Sequence, residues 1–264
     1  MLIAHHAELV STNDAAAAWA RRERGRWLAV TAETQRGGRG RDGRSWASPR
    51  GGLWMSLAAP LHTPLADRGP LPLVVGVAVR RVVARVCTRH GRRDAAVELK
   101  WPNDVLLEGG KTAGVLCEQA LVPGQPQPPA ILGIGLNANL PAEALGDGLR
   151  VPPATLRDTL GRGVDLPALA ADLADAVRDA VEAWDAEGLS PALLDEIHTH
   201  LAGRGETVTI RPIRDTAACV TGRLEGVDAA GRLLILDDAG EAHAFDTGEI
   251  APLTPAAVPL PACP

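Results

Sequence analysis

Apolar and polar positions change rhythm along the chain, and each rhythm predicts a different kind of element. Residues 26–34 open with the apolar run Trp27-Leu28-Ala29-Val30 and then turn polar, which predicts a largely buried strand. Residues 52–59 predict the next strand, so two strands flank the polar segment between them. Val79, Val82, Val83 and Val86 carry the i, i+3, i+4, i+7 spacing of a buried helix face over residues 73–89. Residues 96–100 predict a short strand. Residues 105–107 and 112–120 predict a hairpin around Glu108-Gly109-Gly110. Residues 130–137 predict an apolar strand whose two glycines imply close backbone approach.

The second half begins with helical periodicity. Leu169, Leu173, Val177, Val181 and Trp184 mark an amphipathic helix with Pro167 in its first turn. A further helix starts at Ser190-Pro191 and ends near Ala202-Gly203. After Gly205 the rhythm shortens: residues 207–212, 219–227, 233–237 and 242–246 predict short strands between turns, the pattern of a small β-barrel. The expected organisation is a catalytic domain over residues 1–203 and a small barrel over 204–254. The proline-rich residues 255–264 are expected to be disordered. The fold class is α+β.

Composition narrows the function. With 46% hydrophobic and 22% charged residues the chain has the balance of a globular protein. Its net charge of -5 argues against a protein that coats nucleic acid. No signal peptide is recognisable at the N-terminus, and the apolar run at 71–79 is too short to span a bilayer. The expectation is a soluble, cytoplasmic protein. Cys87, Cys117, Cys219 and Cys263 lack zinc-ligand spacing and read as free thiols. The seven histidines form no ligand pattern, and no Gly-x-Ser-x-Gly is present.

Against that background one segment stands out. Gln35-Arg36-Gly37-Gly38-Arg39-Gly40-Arg41-Asp42-Gly43-Arg44-Ser45-Trp46 packs four arginines and four glycines into twelve positions. Glycine lets the backbone approach a ligand, and arginine supplies fixed, planar donors for phosphate or carboxylate. The letters Gly-x-Gly-x-x-Gly occur here, but no helix is predicted after them to receive a pyrophosphate. RNA binding is the alternative for such a basic run; its single aromatic, Trp46, and the acidic chain speak against it. Lys100-Trp101-Pro102-Asn103-Asp104 ends a strand in a turn, with Lys100 suited to a phosphate and Asp104 to a metal-bound phosphate. Lys111 precedes an apolar strand in which Ala113 and Gly114 leave room for a ligand. Ser11-Thr12-Asn13-Asp14 stands before an alanine run as a helix N-cap that can also offer donors to a ligand.

The order of these pieces resembles the biotin–protein ligases. The matching pieces are Ser11-Thr12-Asn13, Gln35 through Trp46, and Lys100 through Asp104. Lys111-Thr112-Ala113-Gly114-Val115-Leu116 and Gly133-Ile134-Gly135-Leu136-Asn137 complete the set. The resemblance implies a mixed-sheet catalytic domain of the biotin/lipoate ligase type with a C-terminal SH3-like barrel. It implies a reaction in which biotin and ATP, with Mg²⁺, give biotinyl-5′-AMP, followed by transfer to a lysine of a biotin carboxyl carrier domain.

By the same resemblance Ser11, Thr12, Asn13, Gln35 and Gly114 would hold biotin. Arg39, Gly40 and Arg41 would line biotin and the linking phosphate. Arg41, Arg44, Trp46, Lys100, Asn103, Asp104 and Asn137 would serve ATP, Asp104 would bind Mg²⁺, and Lys111 and Arg41 would be catalytic. A loop of this composition is expected to be mobile, its arginines repelling one another, until the adenylate orders it. Arg36-Gly37 replaces a small or polar pair, and Asp42 stands where a second basic residue is common. Only ten residues precede Ser11, so no DNA-binding domain and no binding to DNA are expected, in a monomer or weak homodimer. Lipoate–protein ligases and octanoyltransferases share the fold and remain the alternative.

Overall fold

The computed structural model describes residues 1–23, 25–121, 127–146, 149–211 and 219–251. Its frame is a seven-stranded sheet of β1 (Leu2–Leu9), β2 (Leu28–Gln35), β3 (Leu53–Ala59), β4 (Val97–Lys100), β5 (Asp104–Leu107), β6 (Gly110–Gln119) and β7 (Ala130–Leu136). The strand order is β1-β2-β3-β7-β6-β5-β4. Only the β1–β2 pair is parallel, with helix α1 (Thr12–Ala20) as its connection. The sheet is therefore mixed, as expected.

The two faces of the sheet do different work. Leu132, Ile134 and Leu136 of β7, with Met55 and Leu57 of β3, join the main core beneath α2 (Leu71–Arg89) and α4 (Leu166–Glu187). Ile131 and Ala58 lie on the other face and pack with Ala16 and Ala20 of α1. Because side chains alternate along a strand, Gly133 and Gly135 share the face of Ile131. That face carries the site described below. A short helix α3 (Leu156–Leu160) precedes α4, and α5 (Pro191–His200) follows it. Ser190 caps α5 by accepting from the backbone N–H of Leu193, as its position before Pro191 predicts.

The last five strands, β8 (Thr207–Arg211), β9 (Val220–Val227), β10 (Leu233–Asp237), β11 (Ala242–Phe245) and β12 (Glu249–Ile250), form a second, antiparallel sheet. Its order is β11-β10-β9-β8-β12, so the SH3-like unit is open between β11 and β12. Val208, Ile210, Leu224 and Ile235 belong to the same apolar cluster as the main core. The tail beyond residue 251 lies outside the described residues. Among the described residues no helix is long and apolar enough to cross a membrane. Cys87 and Cys117 are free. Cys219 is disulfide-bonded, which corrects the reading of four free thiols.

Candidate active site

A cavity of about 610 Å³ opens on the α1 face of the large sheet. Every residue assigned a role above lines it: Ser11, Thr12, Asn13, Gln35, Arg39, Gly40, Arg41, Arg44, Trp46, Lys100, Asn103, Asp104, Lys111, Gly114 and Asn137. Segments far apart in sequence thus meet in one space of the size that a small-molecule ligand needs.

One end is a polar network set in apolar surroundings. The backbone N–H and the hydroxyl of Thr12 both donate to Gln35 Oε1, at 2.8 and 3.0 Å. Ser11 begins α1 through its backbone conformation and makes no side-chain cap. Gln35 satisfies the helix start instead, and the Ser11 side chain is left to the cavity. Ser56, fully buried in β3, lies 2.7 Å from Thr12 Oγ1 and 2.5 Å from Asn13 Oδ1. Asn13 Nδ2 donates to Glu118 Oε2 at 2.6 Å. Gly133 makes room for this amide: a Cβ there would stand 2.3 Å from Asn13 Oδ1. The network therefore holds its shape from several strands at once.

Two glycines seat the tryptophan. Gly114 and Gly135 are register partners across β6 and β7. A Cβ on Gly114 would meet the Trp46 ring at 2.9 Å, and one on Gly135 would meet its Nε1 at 2.4 Å. Lys111 Nζ lies 5.0 Å from the ring centroid on a cation–π contact. The same ammonium pairs with Asp104 Oδ1 at 2.7 Å across the β5–β6 hairpin. Asp104 thus spends one carboxylate oxygen on Lys111, a use the sequence reading did not foresee. Asn137 donates to the carbonyls of Lys111 and Ala154, while its own buried Oδ1 has no partner among the described residues. That free acceptor on the cavity wall suits an amino group of a ligand.

The glycine–arginine loop is folded over this floor. Trp46 N–H donates to Gly38 O, Gly40 N–H to Arg44 O, and Arg39 bridges to Ser45. Asp42 takes a left-handed φ of 57° at its tip. The four arginines do not merely repel one another. Arg36 pairs with Glu8 at 2.9 Å, and Arg39 with Asp14 and Glu118 at 2.8 and 3.2 Å. Arg44 pairs with Asp42 at 3.1 Å and with Glu249 at 2.6 Å. Arg41 donates to Asn103 Oδ1 at 3.2 Å and to Thr247 Oγ1 at 2.8 Å. The expectation that the arginines simply repel one another is corrected accordingly, because Arg36, Arg39 and Arg44 each have a carboxylate partner.

Electrostatics follow from burial and pairing. The hydrogen bond to Asp14 raises the pKa of Arg39. Burial lowers those of Arg41 and Lys100, although Asp104 opposes the shift at both. Burial pushes Glu249 up, but Arg44, Arg150 and Arg211 outweigh it and hold the carboxyl below its ordinary range. Ser56, Glu118, Thr247, Arg150 and Glu249 were missed in the sequence. Ser56 had a signal, a lone hydroxyl in the apolar run Leu53–Ala59, and Glu118 had one as a carboxylate in a buried strand. Glu249 and Thr247 had none.

Residues 10–137, which carry most of the sheet and the loop, match the Biotin/lipoate A/B protein ligase family. A biotin–[acetyl-CoA-carboxylase] ligase of Paracoccus denitrificans is 30% identical over 216 residues, covering 80% of this chain and 85% of that protein. A bifunctional ligase/repressor of Bacillus spizizenii is 29% identical over 208 residues, 78% of this chain but only 60% of that protein. The fold is similar to that of a biotin protein ligase from Aquifex aeolicus solved with biotin and ATP. That match has a TM-score of 0.73 and 25% identity, and covers 94% of this chain and 97% of the other. The chain belongs to the biotin/lipoate A/B protein ligase family.

Proposed function

We propose that the protein activates biotin with ATP and transfers it to a lysine of a biotin carboxyl carrier domain. The observation that carries this reading is the cavity itself, polar and hydrogen-bonded at the Ser11–Gln35 end and cationic at the Lys111–Arg41 end. A ureido head both donates and accepts, so it can satisfy Ser11, Thr12, Asn13 and Gln35. The apolar ring of lipoate offers no donor or acceptor to this network, so covering it would desolvate polar groups without a bond in return. This favours biotin over the lipoate alternative.

In the first step a biotin carboxylate oxygen bonds to the α-phosphorus of ATP, and the bond from that phosphorus to the bridging oxygen breaks. Pyrophosphate leaves with the electron pair. Both reactants are anions, so fixed cations at their meeting point offset the repulsion and stabilise the charge that develops. Lys111, held between Asp104 and the Trp46 face, is the cation best fixed for this role. Lys100, Arg41 and Arg44 face the phosphates. In the second step the carrier amine bonds to the acyl carbon and AMP leaves with the electron pair of the broken C–O bond. Two protons depart from the incoming ammonium.

Magnesium fits as part of the nucleotide. Among the described residues Asp104 and Glu249 are the carboxylates lining the cavity; Glu249 is surrounded by arginines and Asp104 has one oxygen left. Mg²⁺ is commonly held by one or two carboxylates with phosphate oxygens completing the shell. Asp104 would supply such an oxygen, and the ion would neutralise phosphate charge. The test is incubation with labelled biotin, MgATP and a biotin carboxyl carrier domain. Label should appear on the carrier lysine, whereas label transfer from lipoate or octanoate alone would overturn the assignment.

A further inference from the structure

A second cavity, of about 760 Å³, lies beside the first and has no part in the reading above. Arg41, Pro102, Asn103, Val115 and Leu116 line both, so the two spaces share a wall. At that wall Arg41 reaches between Asn103 and Thr247. The far side of the second cavity is closed by the turn after β11, at Phe245, Asp246 and Thr247.

The two cavities differ in charge. Among the described residues six basic side chains and two acidic ones line the first. Among the described residues two acidic side chains, Asp42 and Asp246, and one basic one, Arg41, line the second. Anionic acid and nucleotide are drawn to the first mouth, and the same field repels an approaching ammonium. The second mouth has the opposite preference. Asp42 is at its rim because a left-handed turn places it at the loop tip, and its partner Arg44 is shared with Glu249. Asp246 is exposed. Between them Val115, Leu116 and Phe245 offer apolar surface for the methylenes of a lysine stem.

We infer that the second cavity is the route by which the carrier's lysine reaches the adenylate, with Asp42 and Asp246 drawing in its ammonium and Arg41 forming the partition it must pass. The inference rests on the ligase reading. Biotin and nucleotide can then fill one cavity and cover the mixed anhydride while the macromolecular substrate arrives from another side.

The test separates three measurements on the full chain. Biotin-dependent ATP–pyrophosphate exchange reports the first step, hydroxylamine trapping reports access of a small neutral nucleophile, and label transfer reports the carrier. In an Asp42→Asn, Asp246→Asn double variant, exchange and trapping should stay within about twofold while the KM for the carrier rises about tenfold. Ala244→Trp, which fills the second cavity from an exposed position, should act in the same sense. Carrier kinetics within twofold of the parent in both variants would overturn the route, as would exchange falling in parallel with transfer. Absence of biotin-dependent exchange in the unmodified protein would instead overturn the ligase reading, and the route with it.

Discussion

Gly133→Ala should be one of the most damaging single-methyl changes in the protein, and the geometry says by how much. The new Cβ would stand 2.3 Å from Asn13 Oδ1 and 3.0 Å from its Cγ and Nδ2. Relief requires the amide to move by about 1 Å, against the 3.5–4.0 Å optimum of such contacts. The amide is held at both ends, by Ser56 at 2.5 Å and by Glu118 at 2.6 Å. Overpacking costs about 1–3 kcal/mol and loss of the bond to the carboxylate about 1.5–3. Alanine restricts the unfolded chain and returns about 0.4–1 kcal/mol. The net expectation is about 1.5–5.5 kcal/mol of lost stability, with weaker biotin binding. Gly76→Ala is the control of opposite sign. It lies inside α2, where a methyl meets Leu99 Cδ2 at an ordinary 3.6 Å, and should stabilise by about 0.5–1 kcal/mol. Urea denaturation of both variants and biotin titration of the first decide the matter. A Gly133→Ala protein within about 0.5 kcal/mol of the parent, binding biotin normally, would refute the idea that Gly133 makes room for an Asn13 amide fixed by Ser56 and Glu118.

Three further outcomes are expected. Lys111→Ala should lower biotin-dependent pyrophosphate exchange by about two orders of magnitude, the loss of a few kcal/mol of transition-state stabilisation; exchange near the parent rate would remove Lys111 from the step. Burial depresses the Lys100 pKa, so two effects of opposite sign follow as pH rises through its lowered value. Nucleotide affinity should fall as the ammonium is lost, while stability of the free protein should rise until the unfolded-state lysine pKa of about 10.4, because the unfolded chain then binds more protons. Lys100→Arg should abolish both limbs in the alkaline range below the ordinary lysine pKa of about 10.4, and their persistence in that variant would assign them elsewhere. The pairs of Arg36, Arg39 and Arg44 are solvent-exposed and worth about 0–1 kcal/mol each, so 0.5 M salt should speed tryptic nicking of the loop and biotin with MgATP should slow it. Cleavage indifferent to both would show that these pairs do not hold the loop.

Much of the frame could be read from periodicity because the elements that bury one face announce it. The valines of α2 and the Leu169–Trp184 stripe of α4 are such cases. Turn chemistry was equally direct: Glu108 and Gly109 take the positive φ values that the hairpin needs. Strand β1 escaped notice because it is an edge strand, paired with β2 alone. His5, His6 and Glu8 are tolerated there and break the apolar pattern. Strand β12 escaped because two residues have no periodicity.

The site divides along the same physical line. Groups that meet a ligand cluster in short motifs, since glycine, arginine and turn residues must stand together to make a loop that approaches an anion. Groups that compensate those motifs need only reach them in space, and the fold draws them from anywhere. Arg44 finds Glu249, Arg41 finds Thr247, and Arg39 finds Asp14 and Glu118. Counting charge within the loop alone therefore predicts repulsion, whereas counting it within the fold gives a compensated, closed arrangement. The consequence is functional as well as structural. An anion entering the cavity does not meet bare arginines; it must compete with carboxylates already in place, and its binding free energy is reduced by what those pairs contribute. Of the three, Arg44–Glu249 matters most to this competition. Glu249 is the least exposed of the carboxylates and belongs to the C-terminal sheet, so any rearrangement of Arg44 towards phosphate must also loosen a contact between the two sheets.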